Sequence, residues 1–220
     1  LDFINGKYAN KDRTKNEVYE TTQFVYMRMA MALSKDEVDK VKEVSEWYKL
    51  FSENVINAPT PNYVNLGTKL NGLSSCCVYT TNDTWPSLAA GNHIDYVMTC
   101  MSSGIGSHIK TRSVGDGVRS GAIKHMGKLP YYRAIQGAVQ ANMQAGRGGA
   151  ATVYYTCYDP EVLDLLQLRN PRQTEDKRIR GLHYNMGSNK TFARAVAKNE
   201  DVFGFSYKDS PELYEAQYEG

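Results

Sequence analysis

The sequence has 220 residues, a formal charge of +2 and 41% hydrophobic residues, which is the composition of an ordinary folded globular protein. This balance excludes disordered and collagen-like chains, and the length predicts one large domain or part of a larger protein. No apolar run approaches the ~18 residues of a membrane span and no signal-peptide pattern opens the chain, so we expect a cytoplasmic protein without a membrane partner.

The N-terminal part is predicted to be helical over residues 15–57. A first helix covers about 16–33, and Ser34-Lys-Asp-Glu37 is a plausible capping box for a second. Apolar residues of the second helix recur at three- and four-residue steps and predict one buried stripe: Val38, Val41, Val44, Tyr48, Phe51 and Val55. Pro59 and Pro61 then push Ala58 and Thr60 towards extended geometry. We therefore expect a helical segment at 1–58 and a second segment at 59–220.

Strands and helices alternate in the second segment. The predicted elements are a buried strand at 74–80, a helix to residue 101 capped by Asp83 or Thr84, a strand or turn at 103–109, a helix from Pro130, a buried strand at 150–155, and helices from Asp159 and Ser188. This alternation predicts an α/β fold with parallel strands.

The cysteines and histidines show no metal-ligand spacing. Four cysteines are too few for a secreted disulfide scaffold, and none has the Cys-x-x-Cys spacing of a zinc site. We therefore predict no metal site and reduced thiols. Cys76 follows two serines in a predicted strand, where a thiol would be fixed in place. Local sequence leaves two interpretations of Cys76 open, an ordinary core thiol and a chemically active one.

Basic residues are concentrated in the middle of the chain. Residues 110–147 carry seven Lys or Arg and one Asp, whereas the segments on either side are slightly acidic. We call this segment the basic island; its charges are Lys110, Arg112, Arg119, Lys124, Lys128, Arg133 and Arg147. Many glycines surround them, and bare backbone beside guanidinium groups suits an anionic small ligand, although a solvated face is the alternative. The island lacks interleaved exposed aromatics, so a nucleotide is favoured and nucleic acid is not.

Six short motifs follow one another in a recognisable order. They are Pro59-Thr-Pro61, Leu73-Ser-Ser-Cys76, Asp83, Ser103-Gly-Ile-Gly106, Arg112 followed by Gly115, and Gln144 followed by Arg147-Gly-Gly-Ala150. Together they resemble the large catalytic subunit of class I ribonucleotide reductase, over about residues 15–206. The resemblance implies N-terminal helices followed by the first half of a ten-stranded α/β barrel, and a chain that is a fragment of a longer protein or a split-gene piece.

The resemblance also implies a reaction and its residues. The family reduces ribonucleoside diphosphates, or triphosphates in some relatives, to deoxyribonucleotides for DNA replication by radical chemistry. Cys76 matches one of two redox-active cysteines that reduce the 2′-carbon and become a disulfide in each turnover. The positions that match substrate contacts are Thr60, Ser75, Cys76, Gly104 and Arg147. The sequence contains no Asn-x-Cys-x-Glu motif, which carries the radical cysteine and the base in the family. We therefore expect no turnover by this chain alone.

The basic island resembles the site through which dNTP or ATP effectors set substrate specificity. Residues that match contacts to the effector base and ribose are Asp83, Thr84 and Trp85. Arg112 and Arg119 match phosphate contacts on a first regulatory loop, and residues 144–149, beginning with Gln144, match a second loop. Both loops are one residue shorter than in well-known bacterial members, and no counterpart of the N-terminal ATP-cone is seen.

The resemblance implies several partners and no cofactor held by this chain. We expect a metal-containing small subunit that supplies the radical, a chain carrying the missing C-terminal half, and thioredoxin or glutaredoxin as reductant. We also expect a homodimer through helices near 84–102 and 130–143. Two other hypotheses remain open at this point: a catalytically silent nucleotide-binding regulatory module, and a cobalamin-dependent ribonucleotide reductase.

Overall fold

The computed structural model describes residues 2–12, 14–15, 17–70, 72–101, 103–142 and 149–217. The chain forms two compact units, one of Leu1–Ser75 with Met101–Ser103 and one of Cys76–Cys100 with Gly104–Gly220. The first unit extends beyond the boundary expected at residues 58–59, because the buried ring of Tyr63 belongs to its apolar core.

The first unit is helical and contains one short hairpin. Its elements are α1 (Asp2–Lys7), β1 (Lys11–Asp12), β2 (Glu17–Val18), α2 (Thr22–Leu33), α3 (Lys40–Ser52) and α4 (Thr60–Asn65). α2 packs against both α3 and α4. Val25, Met29 and Phe51 are buried with Tyr63 in its core, and this burial of one apolar face holds the short helices in place.

The predicted cap of the second helix is wrong. α3 begins after Asp39, whose carboxylate accepts a hydrogen bond from the Lys42 amide at 3.2 Å, whereas Ser34 ends α2. The two predicted helices are present, but the second begins at Lys40, later than the predicted capping box. The predicted buried stripe also fails in part, because Phe51 is 4% exposed but Val38, which precedes α3, is fully exposed.

Thr60 begins α4 and does not adopt the extended geometry predicted for it. Pro59 has extended backbone (φ −67°, ψ 153°) immediately before the helix, and Pro61 lies in the first turn. A proline disfavours helical geometry in the residue before it. In a first helical turn, however, its missing N–H leaves no hydrogen bond unmade, so the helix starts one residue before Pro61.

The second unit is an α/β arrangement, which confirms the predicted fold class. Its elements are β3 (Cys76–Thr81), α5 (Trp85–Cys100), β4 (Gly104–Ile109), β5 (Gly117–Val118), β6 (Ile123–Lys124), α6 (Leu129–Ala141), β7 (Ala151–Thr156), α7 (Val162–Leu166), a 3₁₀ turn (Glu175–Lys177), β8 (His183–Gly187), α8 (Lys190–Lys198) and α9 (Pro211–Ala216). Four strands form one sheet in the order β3-β4-β7-β8, and every neighbouring pair is parallel. β5 and β6 form a separate antiparallel hairpin.

Most predicted elements of the second unit occur within about two residues of their expected bounds. The strands β3, β4 and β7 and the helices α5 and α6 are confirmed. The hairpin β5–β6 and strand β8 were not predicted. α8 is capped by Asn189 and not by Ser188, because the Asn189 carboxamide oxygen accepts the Phe192 amide at 2.9 Å.

The two faces of the sheet differ in burial. Alternate side chains of a strand point to opposite faces, and one face packs Ile105 and Val153 against Ile135 and Val139 of α6. The other face carries exposed residues such as Cys76. The prediction that the first strand is buried is therefore wrong for the face that carries Cys76; on the other face Thr81 is buried, and Cys77 and Tyr79 are half-buried.

Candidate functional site

The amino ends of the parallel strands bring Cys76 and Gly104 together. Cys76 opens β3, Gly104 opens β4, and the two residues are Cα partners in the ladder. Ser75 immediately precedes the strand, and the Cys76 side chain is exposed. The Ala150 carbonyl, just before β7, accepts a hydrogen bond from the Ile105 amide at 2.9 Å. Three strands therefore begin at one edge of the sheet, which we call the amino edge.

On the sheet face that carries Cys76, the side chains of neighbouring strands align in rows across the sheet. The register aligns Val78 with Gly106 and Thr152 in one row. A Cβ added to Gly106 would lie 2.6 Å from the Val78 Cγ1, so a larger residue here would require the Val78 side chain to move. Val78 and Gly106 line a concavity of about 390 Å³ on this face.

His108 lies in the next row of this face and was not singled out from the sequence. Its Nε2 is 3.2 Å from the Tyr214 hydroxyl of α9, and the two rings stack. Burial, aided by the charges of Lys110 and Lys128, lowers the pKa of His108 to about 4. The imidazole is therefore neutral near pH 7 and can donate or accept a hydrogen bond there.

In the first unit, the hydroxyl of Thr60 lies 3.2 Å from the hydroxyl of Tyr8. The Tyr8 ring stacks on the Tyr63 ring with centroids 5.2 Å apart and 8° between the planes. The Tyr63 hydroxyl in turn donates to the Asn57 carboxamide at 2.7 Å. An aromatic stack thus holds Thr60, one of the two residues of this unit expected to contact substrate. Tyr8 was missed because it lies 52 residues away in sequence and has no local signal.

Asp83 and Arg112, two residues expected at the effector site, form an ion pair. The Arg112 Nε and Nη2 atoms each lie 2.8 Å from the Asp83 Oδ2. The Arg112 amide donates to Asp83 Oδ1 at 3.2 Å, and Nη1 donates to the Gly117 carbonyl at 2.7 Å. The pair therefore ties the segment before α5 to the hairpin β5–β6.

The other described residues expected at the effector site flank this pair along the chain. Thr84 follows Asp83, and Trp85 opens α5 with 82% of its surface exposed. Arg119 is exposed at the turn of the hairpin, where its φ of 49° places it in the left-handed region. Gln144 and Arg147 lie outside the described residues.

Acidic residues from outside the basic island pair with three of its cations. The pairs are Lys110 with Glu215 at 2.7 Å, Arg112 with Asp83 at 2.8 Å, and Lys128 with Asp159 at 2.6 Å. Its other described members are exposed: Arg119, Lys124 and Arg133. The positive charge offered to solvent is therefore smaller than the sequence indicates. Part of the exposed charge lies at the hairpin, with Arg119 in its turn and Lys124 at the end of β6.

Lys128 and Asp159 form a fully buried ion pair, each side chain being 1% exposed. The neighbouring Glu161 carboxylate accepts the Lys128 amide at 3.1 Å and the Val114 amide at 3.3 Å. Burial raises the pKa of Glu161. Gly127, with a φ of 78°, lies so close to this carboxylate that an added Cβ would overlap it. This network fixes the C-terminal end of the hairpin segment to the loop after β7.

A buried carboxyl lies between α5 and the sheet. The Tyr79 hydroxyl donates to the Asp95 carboxylate at 2.7 Å, and Asp95 is completely buried. Burial raises the pKa of Asp95 to about 6 and also raises the pKa of Tyr79. Because ionised Asp95 is poorly solvated, this pair gives the second unit a stability that depends on pH.

Among the residues that the structure describes, no His, Cys, Asp and Glu side chains cluster in a group able to hold a metal ion. Within the same residues, no helix has the length and apolar character needed to cross a membrane.

Two family models match the chain. Ribonucleotide reductase, all-alpha domain, matches residues 1–71, and ribonucleotide reductase, barrel domain, matches residues 74–219. Similar curated proteins include ribonucleoside-diphosphate reductase subunit alpha of Enterobacteria phage T4, which is 35% identical over 96% of this chain. Ribonucleoside-diphosphate reductase 1 subunit alpha of Escherichia coli (strain K12) is 33% identical over 97% of this chain. The chain spans about 28% of the length of these relatives. It belongs to the ribonucleotide reductase family, and the part it represents is the large subunit's all-alpha domain and the beginning of its barrel domain.

Proposed function

We propose that this chain supplies a substrate-reducing thiol and an effector-binding surface to a ribonucleoside-diphosphate reductase, which converts ribonucleotides to deoxyribonucleotides. One observation carries the proposal: Cys76 and Gly104 are paired at the amino edge of a parallel sheet, in a chain of this family. Relatives of this chain are named ribonucleoside-diphosphate reductase subunit alpha. They are much longer than this chain, so the remainder of the catalytic machinery lies in other segments or in another polypeptide.

Cys76 acts as one of two reducing thiols in this proposal. Two thiols provide two electrons and two hydrogens, the 2′-hydroxyl leaves as water, the 2′-carbon gains a hydrogen, and the two sulfurs join as a disulfide. The second thiol and the thiyl radical that opens the reaction belong to the remainder of the large subunit. A metal-containing small subunit generates the radical, and thioredoxin or glutaredoxin reduces the disulfide. An exposed sulfur on the first residue of a strand suits this role, because its backbone is fixed while the sulfur stays accessible.

Four further residues are assigned to the substrate. The hydroxyls of Thr60 and Ser75 and the backbone near Gly104 bind its oxygen atoms. The guanidinium of Arg147 offsets phosphate charge, since guanidinium and phosphate pair through charge-assisted hydrogen bonds.

The effector is a dNTP or ATP bound beside the hairpin β5–β6. Asp83, Thr84 and Trp85 contact its ribose and base, and Arg112 and Arg119 contact its phosphates. The exposure of Trp85 and Arg119 supports this assignment, because both are available to a ligand. Gln144 on the second loop conveys effector identity to the substrate site.

The remaining partners follow from the same assignment. Two copies of the large subunit associate through helices near 84–102 and 130–143, which correspond to α5 and α6. The complete reductase acts in the cytoplasm with its small subunit.

The thiol is tested in the complete reductase that contains this chain. Cys76→Ser is expected to abolish multiple turnover, because serine cannot form the disulfide. Cys100→Ser is the matched control, since Cys100 is also exposed, and it should retain turnover. Multiple turnover by the Cys76→Ser enzyme would remove this residue from the mechanism.

The effector site is tested by equilibrium titration of dTTP and dATP. Arg112→Ala should weaken binding about tenfold or more, because a hydrogen bond to a charged group contributes about 1.5–3 kcal/mol. Arg172→Ala removes an exposed arginine outside the basic island and should leave affinity unchanged. Arginine-dependent dNTP binding combined with turnover that is indifferent to Cys76→Ser would indicate a silent regulatory module.

A further inference from the structure

We propose that Tyr8 is a positioning residue for Thr60, fixing the direction in which the Thr60 hydroxyl donates its hydrogen to an oxygen of the nucleotide substrate. This inference rests on the proposed function, in which Thr60 contacts the substrate. Tyr8 itself touches no substrate in the proposal and acts through Thr60.

The two hydroxyls are at hydrogen-bonding distance, with 3.2 Å between the Tyr8 oxygen and the Thr60 Oγ1. A threonine hydroxyl has one hydrogen to donate and two lone pairs to accept with. When Tyr8 donates into Oγ1, it occupies one lone pair and leaves the threonine hydrogen available. Because a donated hydrogen bond also polarises the acceptor, Thr60 becomes a better donor to a substrate oxygen.

The Tyr8 ring is held rigidly by its neighbours. It stacks on Tyr63 with 5.2 Å between centroids and 8° between planes, and Tyr63 in turn packs against the buried Tyr26 ring at 6.4 Å. A stacked ring has few rotamers to lose, so its hydroxyl keeps one position at little entropic cost.

The same aromatic stack also fixes the chain that leads to Thr60. The Tyr63 hydroxyl donates to Asn57 at 2.7 Å and lies 3.5 Å from the Ala58 amide. The stack of Tyr8 on Tyr63 therefore contacts both the chain just before Thr60 and the Thr60 hydroxyl. This arrangement meets the requirement that a binding group be held by surrounding packing and hydrogen bonds.

The test uses the complete reductase with Tyr8→Phe, which keeps the ring and its stack but removes the hydroxyl. The KM for the ribonucleotide is expected to rise about fivefold, which corresponds to about 1 kcal/mol when tenfold is 1.4 kcal/mol. The kcat and the Kd for the effector should not change, because neither the reacting thiol nor the effector site is altered. Equal losses in kcat and effector affinity would indicate a general structural defect and overturn the proposal.

Two further variants identify which step of the reasoning fails. Tyr26→Phe removes a hydroxyl from the same cluster and should leave KM unchanged. Thr60→Val should raise KM, and the double variant with Tyr8→Phe should match Thr60→Val alone, because Tyr8 acts through Thr60. Additive effects, or a raised KM in Thr60→Val but not in Tyr8→Phe, would overturn the inference about Tyr8. An unchanged KM in Thr60→Val would instead overturn the substrate role proposed for Thr60, and this inference with it.

Discussion

The buried pair of Lys128 and Asp159 predicts that Lys128→Met destabilises the chain strongly. The ammonium lies 2.6 Å from the carboxylate and both side chains are 1% exposed. Asp159 Oδ1 also accepts the Glu161 amide at 2.9 Å, so the carboxylate cannot turn to solvent without breaking that bond. Removing the cation leaves Asp159 buried without its counter-charge, which costs about 3–5 kcal/mol. That loss is a large part of the 5–15 kcal/mol typical of a folded protein.

The effect is measured by urea unfolding at pH 7, as a shift in the midpoint at constant slope. Lys110→Met is the matched control, because it removes another lysine of the basic island whose partner, Glu215, is 51% exposed. Its cost should not exceed about 1 kcal/mol. Adding Asp159→Asn to Lys128→Met should recover much of the lost stability. An equal cost for the two lysine variants, or no recovery in the double variant, would show that the unpaired buried carboxylate is not the cause of the destabilisation.

Two further predictions concern stability. Burial raises the pKa of Asp95 from 3.8 to about 6. The contribution of protonated Asp95 to the free energy of unfolding is therefore fully present below about pH 4 and is lost as pH rises through 6. Asp95→Asn keeps an acceptor for the Tyr79 hydroxyl but cannot ionise. In urea unfolding, the free energy of unfolding of this variant, relative to that of the native chain, should therefore increase by up to about 3 kcal/mol between pH 4 and 7. A difference that does not change with pH would contradict this. Gly127→Ala should cost roughly 1–3 kcal/mol, because φ is 78° and the new Cβ meets the Glu161 carboxylate. Gly137→Ala, in open space within α6, should instead raise the thermal midpoint, by about 1 kcal/mol in stability; equal effects of the two glycine variants would argue against the close contact.

The alternation of strands and helices could be predicted because local signals agree with the tertiary fold. The apolar run of β7 and the proline in the first turn of α6 are such signals. Strand β8 could not be predicted, since His183–Gly187 is largely polar and becomes a strand by pairing with β7. The start of α3 was mispredicted for a related reason. Ser34 and Asp39 are both acceptable caps in sequence, but Ser34 ends α2, where its hydroxyl donates to the Ala30 carbonyl at 2.9 Å.

The candidate site residues were predicted from ordered motifs, but the contacts that these residues make could not be predicted. The motifs placed Asp83 and Arg112 at one site without showing that they pair with each other. The basic island was expected to offer its full charge, yet Lys110 is paired with Glu215, 105 residues away. Contacts of this separation have no period or local spacing that a sequence pattern can display.

The direction of the helices has an electrostatic consequence for the amino edge. α5 ends at Cys100 just before β4, and α6 ends at Ala141 before β7, so both direct their terminal carbonyls towards this edge. The carboxyl end of a helix carries about half a negative charge. The amino end, which binds phosphates at the carboxyl edge of many α/β sheets, carries the opposite charge. For the nucleotide proposed to bind at this edge, these two helix ends would be unfavourable, and the guanidinium proposed for Arg147 would oppose them.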